Sequence, residues 1–161
     1  MGNVCYANRI AQAGSLPSLL LVFALSAAAC SAQTAMRSTT PLAGTSWQLH
    51  AIQSMDDAQG TTRVADPARF TLHFEAEGRV TLRLDCNRGS GTWQATPTAD
   101  SSGSLVFGPI AATRALCAAP HLDERLIRDL AYVRGYLIRD GKLFLTLMAD
   151  GGIYEWHPQR Q

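Results

Sequence analysis

Two runs of apolar residues at strict two-residue spacing constrain this chain more than any other feature. Phe70, Leu72 and Phe74 alternate with Arg69, Thr71 and His73, the chain turns through Glu75-Ala76-Glu77-Gly78, and Val80, Leu82 and Leu84 alternate again. Successive side chains of a strand point to opposite faces, so the pattern fits half-buried antiparallel strands and gives no helical stripe. The same texture begins at Trp47 and Leu49 and returns at Thr92–Ala95, Ser104–Phe107, Tyr132–Ile138, Leu143–Met148 and Ile153–Trp156. Asp140-Gly141 and Asp150-Gly151-Gly152 supply the positive φ that tight hairpin turns need. Ser54–Asp66 is polar and reads as a long loop. Only Pro120–Ala131 has helical period, with Leu122, Leu126, Ile127 and Leu130 on one stripe and Glu124–Arg128 as an i,i+4 pair. The expected fold class is α+β, mainly antiparallel β: a curved or incompletely closed sheet or barrel packed against one helix. Trp47, Trp93 and Trp156 are expected in the core, and His50 and His73 on the outside. Arg79, Arg83 and Arg88, interleaved with Glu75, Glu77 and Asp85, read as a solvated face.

Of the 161 residues, 47% are hydrophobic and 17% charged. That much apolar material can offset the entropy of ordering one domain, and the length leaves no room for two ordinary cores. A net charge of +1 provides no field to draw in nucleic acid. No run of about eighteen apolar residues suits a membrane-spanning helix.

The N-terminus has a different character. Residues 16–29 carry no charge and have the length of a signal-peptide core, and Ala27, Ala28 and Ala29 run directly into Cys30. This stretch resembles the lipobox of bacterial lipoproteins. The resemblance implies a signal peptide over 1–29, cleavage before Cys30, and acylation of its sulfur and new amine. The three acyl chains would anchor the protein stably in a membrane. Ser31, rather than Asp, after the cysteine favours the outer membrane, with the domain facing the periplasm. An ordinary secretory signal, cut after Ala29 or Ala32, would instead give a soluble periplasmic protein. Residues 30–41 are expected to be the lipidated cysteine and a flexible tether, and 42–158 the folded domain.

Three later stretches, in order, resemble the META domain family. They are Leu42-Ala43-Gly44-Thr45-Ser46-Trp47-Gln48-Leu49, Leu84-Asp85-Cys86-Asn87-Arg88-Gly89-Ser90-Gly91-Thr92-Trp93, and Ile110-Ala111-Ala112-Thr113-Arg114-Ala115-Leu116-Cys117. Asp85 stands where the family has Gly, Trp93 where it has Tyr, and Ala115 where Met is frequent. The resemblance implies a non-enzymatic envelope protein contributing to envelope maintenance or to stress and antibiotic tolerance, with no cofactor. The alternative is a binding module, such as a lysozyme inhibitor or a lipid or secretion-pilot lipoprotein. Its partner would be an envelope protein or a small hydrophobic ligand.

Besides Cys30, the processed domain has two cysteines, Cys86 and Cys117, in an oxidising compartment, and a disulfide between them is the expected pairing. A nucleophilic Cys86, with Asn87 and one of His50, His73, His121 or His157, is a second possibility. Metal binding by Cys86, Cys117 and His121 lacks a recognisable ligand spacing. Asn87, Gly89 and Gly91 are expected to build a turn, and they are the candidate ligand loop. No catalytic constellation is recognisable.

Overall fold

In the computed structural model, which describes residues 40–148 and 151–159, the alternating segments close into a barrel. The strands are β1 (Ser46–Gln53), β2 (Thr61–Arg63), β3 (Phe70–Phe74), β4 (Arg79–Leu84) and β5 (Asn87–Ala99). They continue with β6 (Ser102–Phe107), β7 (Ala111–Ala112), β8 (Val133–Arg139), β9 (Lys142–Leu147) and β10 (Ile153–Pro158), and the helix is α1 (Leu122–Leu130). The antiparallel order β10-β9-β8-β6-β5-β4-β3-β1 returns on itself because β1 also pairs with β10, from Trp47↔Pro158 to Gln53↔Ile153. The expected incomplete closure is therefore corrected: eight strands form a closed barrel, with β2 and β7 as short additions on β1 and β5. Closure removes the open edges that a sheet of this length would otherwise present to another chain. Among the described residues, no helix is long and apolar enough to cross a membrane. The signal sequence, Cys30 and most of the tether lie outside the described residues, as does Asp150 of the last turn.

The alternation sets the interior. Phe70, Leu72 and Phe74 of β3 face inward beside Val80, Leu82 and Leu84 of β4, paired from Phe70↔Leu84 to Phe74↔Val80. Trp47, Trp93 and Trp156 are buried as expected, with Tyr154 and Leu145 filling the lumen around them. Phe74 meets the edge of Trp93 at 5.1 Å between ring centroids, a geometry aromatic quadrupoles favour. In β1 the alternation breaks: the register with β10 shifts between Leu49 and Ala51, so Ala51 and Ile52 are both buried. A bulge of this kind leaves one residue out of the pairing, here His50.

Local chemistry places the turns. Asp140 and Gly141, at φ 54° and 69°, join Arg139 to Lys142 in the expected two-residue hairpin. Between β4 and β5, where Leu84 pairs with Asn87, the two-residue turn is Asp85-Cys86. Asp85 sits at φ 61°, a left-handed conformation in which Gly is the ordinary residue. The aspartate is held there by an ion pair with Arg69 and by its own N–H, which donates to the Arg69 carbonyl at 2.8 Å.

The helix is shorter than its pattern suggests. His121 is left-handed at φ 53° and supplies no side-chain cap, so α1 starts at Leu122 and Pro120 lies outside it. Leu126 and Leu130 are buried, while Leu122 and Ile127 are half-buried at the margin. Arg128 approaches Asp129 at 3.5 Å, so the described ion pairs do not include the expected Glu124–Arg128. Ser54–Asp66 is not wholly loop, since β2 lies within it.

On the outer face of the β4–β5 hairpin, Arg79 pairs with Glu75 at 2.6 Å, but Arg83 lies directly opposite Arg88. Like charges facing each other across strands oppose pairing. Arg88→Glu is expected to raise stability by a few tenths of a kcal/mol, an exposed-pair effect that salt screens. Urea melts at low and high salt would show the gain shrinking as salt rises.

Candidate functional site

Strand β5 begins with an inward face of Asn87, Gly89, Gly91 and Trp93, alternating with exposed Arg88, Ser90 and Thr92. The expected turn at Asn87–Gly91 is therefore corrected: these residues lie in a strand paired with β4, and the turn is one step earlier. Their residue types answer a different demand. A Cβ at Gly91 would lie 2.8 Å from the Pro109 carbonyl oxygen, and one at Gly89 3.3 Å from Cγ2 of Ile110. The glycines let residues 109–112 cross close to β5, with Ile110 occupying the space their side chains would fill.

Asn87, only 2% exposed, is the centre of the arrangement. Its Oδ1 accepts from Thr113 Oγ1 and from the Ala115 N–H, each at 2.8 Å. Its Nδ2 donates to the Ala115 carbonyl at 2.9 Å and to Asp123 Oδ2 at 3.0 Å, with Cys117 Sγ 3.2 Å away. A side-chain amide has two donors and one acceptor oxygen, and all are engaged. One residue thus ties β5 to the extended segment 113–117 and to the first turn of α1.

Cys86 and Cys117 form a disulfide with Cα atoms 5.7 Å apart. It joins the β4–β5 turn to the same segment, two residues beyond the Ala115 bonded by Asn87. The nucleophilic alternative for Cys86 loses its thiol to this bond. His121 caps α1 without a side-chain bond, and Cys117, with which it would have shared a metal, is oxidised. Among the described residues, no three His, Cys, Asp or Glu side chains are grouped to hold a metal ion.

Beside Asn87 the 113–117 segment and α1 border an open cleft of about 490 Å³. Its walls are Thr113, Arg114, Ala115 and Leu116 on one side and Asp123, Glu124, Ile127 and Arg128 on the other. Asp123 is 4% exposed, and while Oδ2 is bonded to Asn87, Oδ1 has no hydrogen-bond partner. Sequence reasoning missed Asp123. It was legible only as a first-turn acid suited to the helix dipole, and nothing in its spacing announces the bond to Asn87 thirty-six residues away.

The histidines occupy a separate place. His73 Nδ1 is 2.7 Å from Ser46 Oγ, and the His50 ring stacks on His157 at 3.7 Å between centroids. Both expected outer histidines are half-buried rather than fully exposed. Glu155 Oε1 lies 2.8 Å from both His157 Nε2 and Lys142 Nζ. Burial, reinforced by the neighbouring His157 charge, holds the His50 pKa below its ordinary 6.5. Hydrogen bonds from Lys142 and His157 hold that of Glu155 below 4.5. Both groups have folded values below their unfolded ones, so the stability each contributes is present above the unfolded value and lost as pH falls through the folded one. Thermal midpoints are expected to decline as pH drops below 6.5, and again below 4.5. The His50→Gln variant should lack the first decline, which melts across a pH series would show.

None of the curated proteins matches the sequence. Two solved structures resemble the fold. One is an NMR structure of a protein from Burkholderia xenovorans, 23% identical, covering 76% of this chain and 87% of its own, with a TM-score of 0.60. The other is a crystal structure of a DUF4847 family protein from Bacteroides vulgatus, 15% identical, covering 75% and 96%, with a TM-score of 0.50. The META domain model matches residues 40–159, from the turn before β1 to the end of β10. The chain belongs to the META domain family.

Proposed function

We propose that this protein is a non-enzymatic lipoprotein of the cell envelope. In this reading it is anchored through Cys30 to the outer membrane, faces the periplasm, and contributes to envelope maintenance under stress or antibiotic exposure. The observation that carries the non-catalytic part is the use made of the reactive side chains. Cys86 and Cys117 are bonded to each other, and every polar atom of the Asn87 side chain is engaged within the fold. These groups brace the domain and are not left available to a substrate. The anchoring part rests on the lipobox-like run into Cys30.

The alternative readings each need a feature that now stands elsewhere. A lysozyme inhibitor using Asn87–Gly91 as a plug would need those residues on an exposed loop, whereas Asn87, Gly89 and Gly91 face into the barrel. A carrier holding a lipid or a secretion tail inside the barrel would need an open lumen, where Trp156, Tyr154, Phe74 and Leu145 are packed.

Protein extracted by detergent from a Gram-negative host tests the anchoring by intact mass. The expected mass is that of the chain from Cys30 plus three acyl chains. An unacylated processed mass would make the protein soluble in the periplasm. The functional part is tested by a deletion strain, expected to differ from its parent in sensitivity to hydrophobic antibiotics, heat or detergents. Growth indistinguishable from the parent across that panel would overturn it.

A further inference from the structure

We infer that the outer face of the β4–β5 hairpin binds a phosphate dianion, free or as the monoester end of a larger molecule. Arg83 and Arg88 are its charge partners, and Thr81 and Ser90 its hydroxyl donors. The inference goes beyond the envelope reading and stands whether or not Cys30 is acylated.

It begins with a local charge imbalance that the near-neutral composition conceals. The carboxylates interleaved with the arginines of this hairpin are engaged elsewhere: Glu75 pairs with Arg79, and Asp85 is buried against Arg69. Glu77 lies in the turn at the opposite end of β4. Arg83 and Arg88 stand directly opposite each other, both exposed, and neither makes an ion pair among the described residues. Their row continues across the barrel wall to Thr71 of β3 and Gln48 of β1, so no carboxylate stands beside them in it. Opposite residues of an antiparallel pair have Cα atoms about 5 Å apart, so the two charges repel at close quarters. Folded proteins keep such local conflicts chiefly where function uses them. A dianion set between the guanidinium groups replaces the repulsion with two attractions.

The surface beside the pair is shaped to receive one. Thr81, Arg88, Ser90 and Thr113 border an open groove of about 540 Å³, with Gly89 and Ala112 on its floor. Thr81 and Ser90 are themselves an opposed pair, one step along the same outer face, and both are exposed. Their hydroxyls supply donors for phosphate oxygens that the guanidinium groups leave free. Every proposed donor thus belongs to an exposed residue and is within reach of a ligand. The backbone beneath is held on both sides. Arg88 pairs with β4 on one edge, and on the other its N–H donates to Thr113 Oγ1 and its carbonyl accepts from the Thr113 N–H, each at 3.0 Å. Thr113 is bonded in turn to the buried Asn87. A frame fixed before the ligand arrives lowers the ordering cost of binding. Charge selects the ligand. A phosphate monoester carries about −1.5 to −2 at neutral pH, with three acceptor oxygens. That matches two guanidinium groups, each offering a fork of donors. A phosphodiester or a carboxylate has a single charge and leaves one arginine unneutralised.

Isothermal titration of the full chain near neutral pH tests this with four probes. Inorganic phosphate, glycerol 3-phosphate and dihexanoyl phosphatidic acid, a soluble lipid, present the dianion; dimethyl phosphate is the singly charged comparison. The tightest dianion is expected to bind at least about tenfold more strongly than dimethyl phosphate. Which of the three binds most tightly assigns the source: the free ion, a soluble ester or a lipid headgroup. Arg83→Gln and Arg88→Gln are each expected to weaken that binding by a similar factor without lowering the thermal midpoint, because each also removes a like-charge contact. Arg139→Gln, at the exposed end of β8, removes the same charge away from the hairpin and should change binding by less than about twofold, since solvent and salt screen distant charges. No heat with any of the three dianions would overturn the inference. So would dimethyl phosphate binding as tightly as they do, or Arg139→Gln weakening binding as much as the two hairpin variants. The probe comparison uses the unaltered chain, so it holds even if a variant misfolds.

Discussion

Asn87→Ala is expected to destabilise the domain by about 3–4 kcal/mol, one of the two largest effects a small change should produce here. The estimate adds roughly 1 kcal/mol for each internal hydrogen bond lost to the penalty for buried groups left unpaired. The Ala115 N–H and carbonyl lose their side-chain partner, and Asp123, already short of a donor at Oδ1, loses the one at Oδ2. A charged group stripped of its last donor in the interior carries most of the cost. Asn87→Asp distinguishes the amide from its shape: it keeps the acceptor for Thr113 and Ala115 but turns the donor toward Asp123 into a second carboxylate. It should be at least as destabilising near neutral pH and partly recover in acid, as one of the two carboxyls takes up a proton. Urea denaturation at two pH values reads both outcomes. A loss below about 1 kcal/mol for Asn87→Ala would show that water replaces the amide and that its bonds do not hold the 113–117 segment.

Reducing the Cys86–Cys117 bond, or replacing both cysteines by serine, is expected to lower the thermal midpoint by about 15 °C. With a sequence separation of 31, chain-entropy arithmetic gives roughly 3.5–4 kcal/mol for the constraint the bond places on the unfolded chain. For a domain of this size, each kcal/mol corresponds to about 4 °C. An unchanged midpoint after confirmed reduction would show that the bond adds nothing to stability. The two perturbations should not add. Asn87 and the disulfide pin the same short segment within two residues of each other, so a chain lacking the disulfide has less left for Asn87 to hold. A double-mutant cycle is expected to give a combined loss smaller than the sum of the two.

The position of Asp85 shows how a family departure is absorbed. The family's Gly fits a turn residue at positive φ, and Asp is among the few other residues that tolerate that conformation. The backbone bond to the Arg69 carbonyl is one a glycine would make equally, whereas the ion pair with Arg69 gives the added side chain a fixed partner.

The β character, the β3–β4 hairpin, the Asp140-Gly141 turn and the burial of the tryptophans were legible in the sequence. Alternation and turn chemistry are local properties, encoded over a few residues and independent of what packs nearby. The same logic misread Asn87–Gly91, because Asn and Gly favour turns only when nothing else asks for a small inward side chain. Here the crossing of residues 109–112 asks for it. Closure of the barrel, which needs β1 to meet β10 more than a hundred residues away, left no mark in either strand alone. The meeting of Asn87, Ala115 and Asp123 around a cleft was equally invisible. Such contacts join residues far apart in the chain, and their positions are set by how the whole sheet curls and which ends it brings together. Local periodicity determined the elements of this protein; the tertiary structure alone decided which polar groups were buried together and where a cleft was left beside them.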